Sequence, residues 1–339
     1  MVKYSVCIAA YNVEKYIDEC IKSVLNQTFS NFELIIVDDG SNDNTGHILD
    51  EYNKKDSRIK VFHNDVNKGP LFSKVRAINA STGDYLMFMD SDDYYEKNAI
   101  ERMNDIVYKY DPDLILFNYR KVYPNKKIIE KEKDNKIIQF DDSNRNEFLL
   151  EVLRNSKFNS ICLKCVKASL VKNNLHIPDE DYINVRRADD HYISLEIYKN
   201  VHKIIITNEI LYNYRMNDSG LTQSQKKKYN FHYRCREKTV EIINNEKCLT
   251  KEEKEILHKH SVHKFINQLE EISNFNIDNN EKINIFNSIK ETNYYRDYLV
   301  NILHYEKNSP KLALFKNDKY HMLINLCKVE KMVYKLFGK

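Results

Sequence analysis

Three acidic clusters stand out: Asp38 and Asp39 in "VDDGS", Asp90, Asp92 and Asp93 in "YLMFMDSDDYYEKN", and Asp189 and Asp190 in "RRADDHYISLEIY". In the second, five apolar or aromatic residues run straight into three carboxylates. Like charges that close repel, so water or a cation must offset them. Two carboxylates one residue apart in a turn can face one point. A hard divalent cation, Mg²⁺ or Mn²⁺, takes such oxygens together with phosphates and water. A diphosphate is then a natural occupant, because the cation neutralises it as it leaves. An Asp-x-Asp alone is common on surfaces; one placed directly after an apolar strand pattern says more.

The elements that must position these acids are legible in the first 120 residues. "YSVCIAA", "FELIIVD", "IKVFHN", "YLMFMD" and "DLILFNY" are short, continuously apolar runs of strand type. Between them lie helix patterns: Ile17, Cys20, Ile21, Val24 and Leu25 at i, i+3, i+4, i+7, i+8, then "TGHILDEY", a stretch near 72–81 and "AIERMNDIVYKY". Alternating strands and helices of this kind predict an α/β, Rossmann-like, mostly parallel sheet flanked by helices. Ligands in such sheets bind beyond the carboxyl ends of the strands. Three strand ends carry the unusual residues, "AAYN", "VDDGS" and "MDSDD". One such end is explained by turn chemistry; three on one rim point to an active cleft.

Residues 125–160 are polar and weakly periodic until "NEFLLEVL". Residues 161–221 read as a helix, a polar loop, the helix "DDHYISLEIYKN" and a strand pair over "KIIITNEILYNYR". From about residue 228 the pattern is helical to the end. The domain reading is 1–225, divided into a donor half (1–120) and an acceptor-side half (121–225), followed by a C-terminal helical region, 226–339. The net charge of +3 gives no argument for a nucleic acid partner. Seven cysteines in no scaffold pattern fit a reducing compartment. "CLKC" has CxxC spacing at Cys162 and Cys165, but no second pair at zinc-ribbon spacing accompanies it. The N-terminal apolar run is too short and interrupted for a signal peptide, and no run of about 20 apolar residues exists to span a membrane. The expected location is therefore cytoplasmic. His258, His260 and His263 read as incidental residues on a solvated helix.

The segments "YSVCIAAYNVEKYIDECIKSVLNQTFSNFELIIVDDGSNDNT" and "NKGPLFSKVRAINASTGDYLMFMDSDD" resemble, in order and spacing, the inverting family-2 glycosyltransferases with a GT-A fold. The resemblance is continuous from about residue 3 to residue 95. It implies transfer of a sugar from a nucleotide-diphospho-sugar, a UDP-sugar above all, with Mn²⁺ or Mg²⁺. Carried over to this chain, Ala9, Tyr11, Asn12 and Glu14 line the nucleotide pocket. Asp39 accepts from the base, with Asp38 as its support. Asp90 lies near the ribose and the metal, Ser91 belongs to the nucleotide-sugar site, and Asp92 ligates the metal. Asp93 is expected to cap the next helix. The chain departs from the family's usual Pro at Ala9, Ala-Arg-Asn at Ser73, Lys74 and Val75, and Gly at Ala77. Lys74 keeps a charge that can reach the diphosphate as a point charge; a solvated helix lysine is the plain alternative, and Arg76 is a rival.

By the same resemblance, Asp189 and Asp190 match an acidic pair ahead of a helix about a hundred residues after Asp-x-Asp. The second acid, Asp190, is the implied general base, within reach of the acceptor hydroxyl. An N-cap and helix-dipole pair is the plain alternative. "ILYNYRMNDSGLTQS" resembles a cleft-closing segment, with Tyr214, Arg215, Ser219 and Thr222 near diphosphate or acceptor. The Gln-x-x-Arg-Trp of processive relatives is missing, and the chain has no Trp, so one sugar per encounter is expected. The acceptor class is a glycan or lipid-linked oligosaccharide of a cell-surface polysaccharide. A decayed sugar-nucleotide scaffold is disfavoured by the presence of Asp39, Asp90, Asp92 and Asp190. A nucleotidyltransferase is disfavoured because "AAYNVEKY" has no Gly-rich basic loop.

The C-terminal "HMLINLCKVEKMVYKLFGK" places Met322, Leu326, Val329, Val333 and Leu336 on one helical stripe, with Lys328, Lys331, Lys335 and Lys339 opposite. Two expectations stand: the stripe docks on the protein, or it lies peripherally on the anionic inner face of the plasma membrane.

Overall fold

The structure is a computed structural model that describes residues 1–123, 126–127, 136–185, 188–216 and 233–337, with backbone alone at 126–127, 183–184 and 335–337. The chain forms two compact units, Met1–Lys228 and Tyr229–Lys339.

The first unit is built on one sheet. Its strands are β1 (Tyr4–Ala10), β2 (Phe32–Asp38), β3 (Ile59–His63), β4 (Tyr85–Asp90), β5 (Tyr94–Tyr95), β6 (Leu114–Tyr123), β7 (Lys126–Lys127), β8 (Ile137–Phe140), β9 (Lys164–Lys167) and β10 (Ile204–Arg215). The order is β3-β2-β1-β4-β9-β6-β10-β5, with β7 on β6 and β8 on β10. The β3-β2-β1-β4 half is parallel, with Ala10 opposite Asp38 and Ala9 opposite Asp90. Strands β2, β1 and β4 are therefore adjacent and end on one rim, which brings the three polar strand ends together. Beyond β4 the sheet is mixed, since β9 runs antiparallel to β4 and β6 while β6 and β10 are parallel.

The continuous apolar runs are explained by burial on both faces. Val6, Ile8, Leu34, Ile36, Leu86 and Leu116 have no exposed surface. Helices α1 (Ile17–Leu25), α2 (Thr45–Lys55), α3 (Pro70–Ala80) and α4 (Ala99–Tyr110) follow β1 to β5, and α1 buries Ile17, Cys20, Ile21 and Val24, as its periodicity requires. Further along come α5 (Arg145–Arg154), α6 (Ala168–Asn174), α7 (Asp179–Asn184) and α8 (Asp189–Asn200).

Two readings change in this half. The residues after Ile161 form a 3₁₀ turn and strand β9 before α6, and "KIIITNEILYNYR" is one long bulged strand rather than a pair. The sequence hides β9 because it carries Lys164, which is fully buried and donates to the carbonyls of Phe158 (2.8 Å) and Ser160 (2.6 Å).

The second unit is helical: α9 (Tyr233–Asn245), α10 (Lys251–Ser273), α11 (Asn279–Lys290), a π-helical turn Tyr294–Leu299 running into the single turn α12 (Val300–Ile302), α13 (Pro310–Lys316) and α14 (Tyr320–Phe337). Thr250 and Glu253 form a reciprocal capping box that starts α10. Phe265, Leu269, Phe286, Phe315 and Leu323 are core residues. His258 is not solvated: it is buried, bonds Asn244 Oδ1 through Nε2 at 3.1 Å and stacks on Tyr305. Helix α14 docks through Tyr320, Leu323, Ile324 and Cys327, a face other than the predicted stripe. That stripe is open at Met322, Val329 and Val333, joined by the exposed Met332. The side chains of Lys335 and Leu336, and all of Lys339, lie outside the described residues.

Candidate active site

The site is assembled at the rim where β1, β2 and β4 end. After β1 the chain turns through Asn12 at φ +52°, a region Asn tolerates better than most residues. Its backbone N–H donates to Ser41 Oγ at 3.0 Å, and its side-chain carbonyl accepts from the Asn42 N–H at 2.8 Å. Glu14 Oε2 accepts from the Asn44 N–H at 2.9 Å, and the Val13 N–H donates to Thr45 Oγ1 at 2.9 Å. Asn12 and Glu14 thus brace the "YNVE" loop against "SNDNT". Ala9 lies in the ladder, while Tyr11, Asn12 and Glu14 are exposed.

After β2, Gly40 adopts φ +72°, and a Cβ there would meet the Val66 carbonyl carbon at 2.9 Å, so the close approach of this loop requires glycine. Asp38 accepts from the Ser41 N–H (3.0 Å) and pairs with His63 Nδ1 (2.9 Å). Asp39 is buried and accepts from Asn64 Nδ2 (2.7 Å), the Lys68 N–H (2.9 Å) and the Gly69 N–H (2.8 Å). A carboxylate has about four lone-pair sites, so three bonds leave room for one more donor. Gly69 leads into α3 at φ +94°.

Helix α3 turns Lys74 inward. Its Nζ lies 2.6 Å from Asp189 Oδ2, bonds Asp190 Oδ1 and stands 3.7 Å from Asp90 Oδ1. Arg76 is engaged elsewhere. Arg76 Nη1 donates to the His63 carbonyl (2.7 Å) and to Asn64 Oδ1, which supports the partner of Asp39. Burial pulls the Lys74 ammonium down, and Asp189, Asp190 and Asp90 together outweigh it, so its pKa is raised well above the ordinary lysine value. The Asp189 carboxyl is raised by burial and by Asp190, with Lys74 opposing. Asp90 is pushed up to about 7 by desolvation, with Asp190, Asp92 and Asp189 adding and Lys74 opposing. Its side chain keeps 39% of its surface open, so water moderates that push.

Asp189 and Asp190 open α8, where the helix dipole favours acids. The cap position belongs to Ala188, so neither acid is the N-cap. Asp189 is the more enclosed side chain, at 11% exposure against 26% for Asp190. Below them Ser194 Oγ donates to the Asp190 carbonyl (2.6 Å) and the Asn159 carbonyl (3.0 Å). Burial draws the neighbouring Lys164 ammonium down to about 7, with Asp190 and Cys162 opposing. Ligand atoms of Asp90, Cys162 and Asp190 lie within 4.8 Å of one another. The end of β4 and the head of α8 therefore meet at one point.

Ser91 is buried and Asp92 half-buried. Asp93 does not cap a helix: α4 begins six residues later, at Ala99, behind Asn98. It is fully buried and accepts from Tyr212 Oη (2.6 Å) and the Arg215 N–H (2.7 Å). Burial first, then Asp90 and Asp92, raise its carboxyl well above the usual range. Ser219 and Thr222 lie outside the described residues.

The family model for glycosyl transferase family 2 matches residues 5–172. "Glycosyltransferase GlyG" of Streptococcus pneumoniae is 31% identical over 229 residues, which cover 65% of this chain and 73% of GlyG. The chain belongs to glycosyl transferase family 2. A poly(ribitol-phosphate) beta-glucosyltransferase of Bacillus spizizenii is 30% identical over 64% of the chain, but the chain spans only 33% of that protein. In fold, this glycosyltransferase is similar to S. aureus TarS 1-349 crystallised in complex with UDP-GlcNAc, with a TM-score of 0.75 at 21% identity over 97% of this chain and 92% of that one. The GT-A architecture is therefore shared.

Within this family-2 glycosyltransferase, sequence reasoning did not find Tyr212, Cys162 or Lys164. Tyr212 had a signal: it alternates with Tyr214 along β10, on a strand that runs beside the Asp90–Asp93 turn. Cys162 was marked only by the CxxC of "CLKC" and Lys164 by nothing; the packing of the 3₁₀ turn Ile161–Leu163 against α8 brings this segment to the acids.

Proposed function

We propose that this enzyme moves a single sugar, with inversion, from a nucleotide-diphospho-sugar, UDP-linked by preference, to a hydroxyl of a glycan or lipid-linked acceptor in cell-surface polysaccharide synthesis. The observation that carries this reading is the convergence of Asp90, on the donor-side rim, with Asp190, at the head of α8, across less than 4.8 Å. Similarity to a poly(ribitol-phosphate) beta-glucosyltransferase and to TarS crystallised with UDP-GlcNAc supports the acceptor and donor classes.

Asp190 takes the proton of the acceptor hydroxyl as that oxygen bonds to the anomeric carbon. The bond from that carbon to the diphosphate oxygen breaks, and the nucleoside diphosphate leaves with the electron pair. Lys74 holds Asp190 and Asp189 in place. Asp39 offers its remaining acceptor site to a base N–H. The donor set fits a divalent cation: Asp90 and Asp92 are hard oxygen ligands, and one ammonium faces three carboxylates in Asp90, Asp189 and Asp190. Bound there, Mn²⁺ or Mg²⁺ would supply positive charge to the departing diphosphate. A nucleoside-diphosphate release assay over a panel of nucleotide-sugars, with Mn²⁺ and with chelator, tests the reading. Release from one UDP-sugar, abolished by chelation, is expected; no release from any donor supports the decayed scaffold.

The open stripe of α14 supports peripheral contact with an anionic membrane. Met322, Val329, Met332 and Val333 are exposed, as are Lys328 and Lys331 on the other side of the helix. Among the described residues no helix is long and apolar enough to cross a membrane. Truncating at Lys319 would strip Leu323, Ile324 and Cys327 from the core, so paired Val329→Glu and Val333→Glu changes are the cleaner probe. Salt-sensitive co-sedimentation with anionic vesicles, lost in that variant, is expected; equal sedimentation of both proteins, or of neither, contradicts it.

A further inference from the structure

Arg215, the last residue of β10, reaches across the acidic turn. Its backbone N–H donates to Asp93 Oδ1 at 2.7 Å and its Nε to the Asp92 carbonyl at 2.8 Å. Nη2 donates to Glu19 Oε2 on α1 at 2.6 Å. The guanidinium carbon lies 5.3 Å from the ring centres of both Tyr16 and Tyr94. Three residues earlier in β10, Tyr212 Oη donates to Asp93 Oδ2 at 2.6 Å and accepts from the Asp90 N–H at 3.2 Å. The turn itself contributes one bond, from the Asp93 N–H to the Asp90 carbonyl at 3.1 Å.

We propose that Arg215 is a positioning residue for the Asp90–Asp93 turn, fixing the Asp92 peptide so that the Asp92 carboxylate is held toward the cation site. The proposal rests on the metal reading above and names what presets that site. A side chain can be aimed only as well as its backbone is held, and the Asp92 carbonyl is held by a charged donor, the stronger kind of hydrogen bond. The planar fork of arginine reaches the Asp92 carbonyl and Glu19 at once, which a lysine ammonium does not reproduce. Its charge also offsets three carboxylates crowded into four positions. Through Glu19 and Tyr16, the same side chain ties the turn to the helix that follows the Tyr11 loop.

The test compares Arg215→Met, which keeps the stem between the two rings, with Arg215→Lys and Glu19→Gln. Three readouts are taken: amide exchange of residues 90–95 in metal-free protein, Mn²⁺ affinity by electron paramagnetic resonance with UDP present, and donor KM at saturating Mn²⁺. Loss of a charge-assisted bond should speed exchange and weaken Mn²⁺ binding about tenfold in Arg215→Met, and less in the other two variants. Donor KM at saturating Mn²⁺ should hold. Unchanged exchange and Mn²⁺ affinity with a raised donor KM would show that Arg215 acts on the diphosphate, and would overturn the proposal. If the wild-type protein binds no Mn²⁺, the metal reading fails and exchange alone decides the clamp. Should Arg215→Met not fold, the other two variants carry the same comparison.

Discussion

Lys74 Nζ lies 2.6 Å from Asp189 Oδ2, a bond that joins α3 to the head of α8. Both side chains are enclosed, at 9% and 11% exposure. Removing one partner of a buried pair leaves the other charge uncompensated, at a cost of about 3–5 kcal/mol. Lys74→Met should therefore lower the denaturant midpoint sharply. Adding Asp189→Asn should recover part of the loss, because the two changes share one interaction. Strictly additive losses in the double variant would show that the pair is not coupled.

Asp92→Ala should fold normally, since the side chain is half-buried and sits in a turn held by β10. Its turnover should fall by roughly a thousandfold or more, the effect of losing several kcal/mol of leaving-group stabilisation. Steady-state rates with Mn²⁺ titrated against chelator check this. Near-normal turnover by the wild-type enzyme in metal-free buffer would remove the metal from the account.

Glu33 on β2 gives the fold an acid-sensitive point. Its carboxylate accepts from Ser5 Oγ (2.7 Å), Lys3 Nζ (3.0 Å), Lys60 Nζ (3.0 Å) and Thr82 Oγ1 (2.9 Å). Burial raises its pKa, and these donors with the Thr82 N–H outweigh that, leaving it lowered from 4.5 to about 2. The folded value is the depressed one. The stabilisation is thus complete above about pH 4.5 and is lost as pH falls toward 2, up to roughly 3 kcal/mol in all. Glu33→Gln should melt lower than the wild type at neutral pH, and the gap should close across that window. A gap that stays constant with pH would contradict the assignment.

The parallel half of the sheet is readable because its strands are buried on both faces, so "YSVCIAA", "FELIIVD" and "YLMFMD" need no alternation to be recognised. The rim acids were legible for the same reason, since a strand's end fixes where Asp38 and Asp90 must emerge. What escaped depends on partners distant in sequence. Asp93 is suited by type to a helix cap, yet Tyr212, 119 residues away, takes it into the core. Lys164 argues against a buried strand until the carbonyls of Phe158 and Ser160 are seen to receive it. The docking face of α14 could not be chosen from periodicity alone, because Tyr320, Leu323, Ile324 and Cys327 form a second apolar face on the far side of the helix from the predicted one.

Asp190 is proposed as the base of a transfer whose donor site lies at Asp90. The most direct measurement compares UDP affinity and sugar-transfer rate in the wild type and in Asp190→Asn, with Asp189→Asn alongside. The amide keeps the shape of the side chain and removes its basicity. UDP should bind Asp190→Asn as it binds the wild type, while transfer falls by about 10² to 10⁴. Transfer near the wild-type rate in Asp190→Asn, above all with Asp189→Asn inactive, would contradict the account and move the base to Asp189.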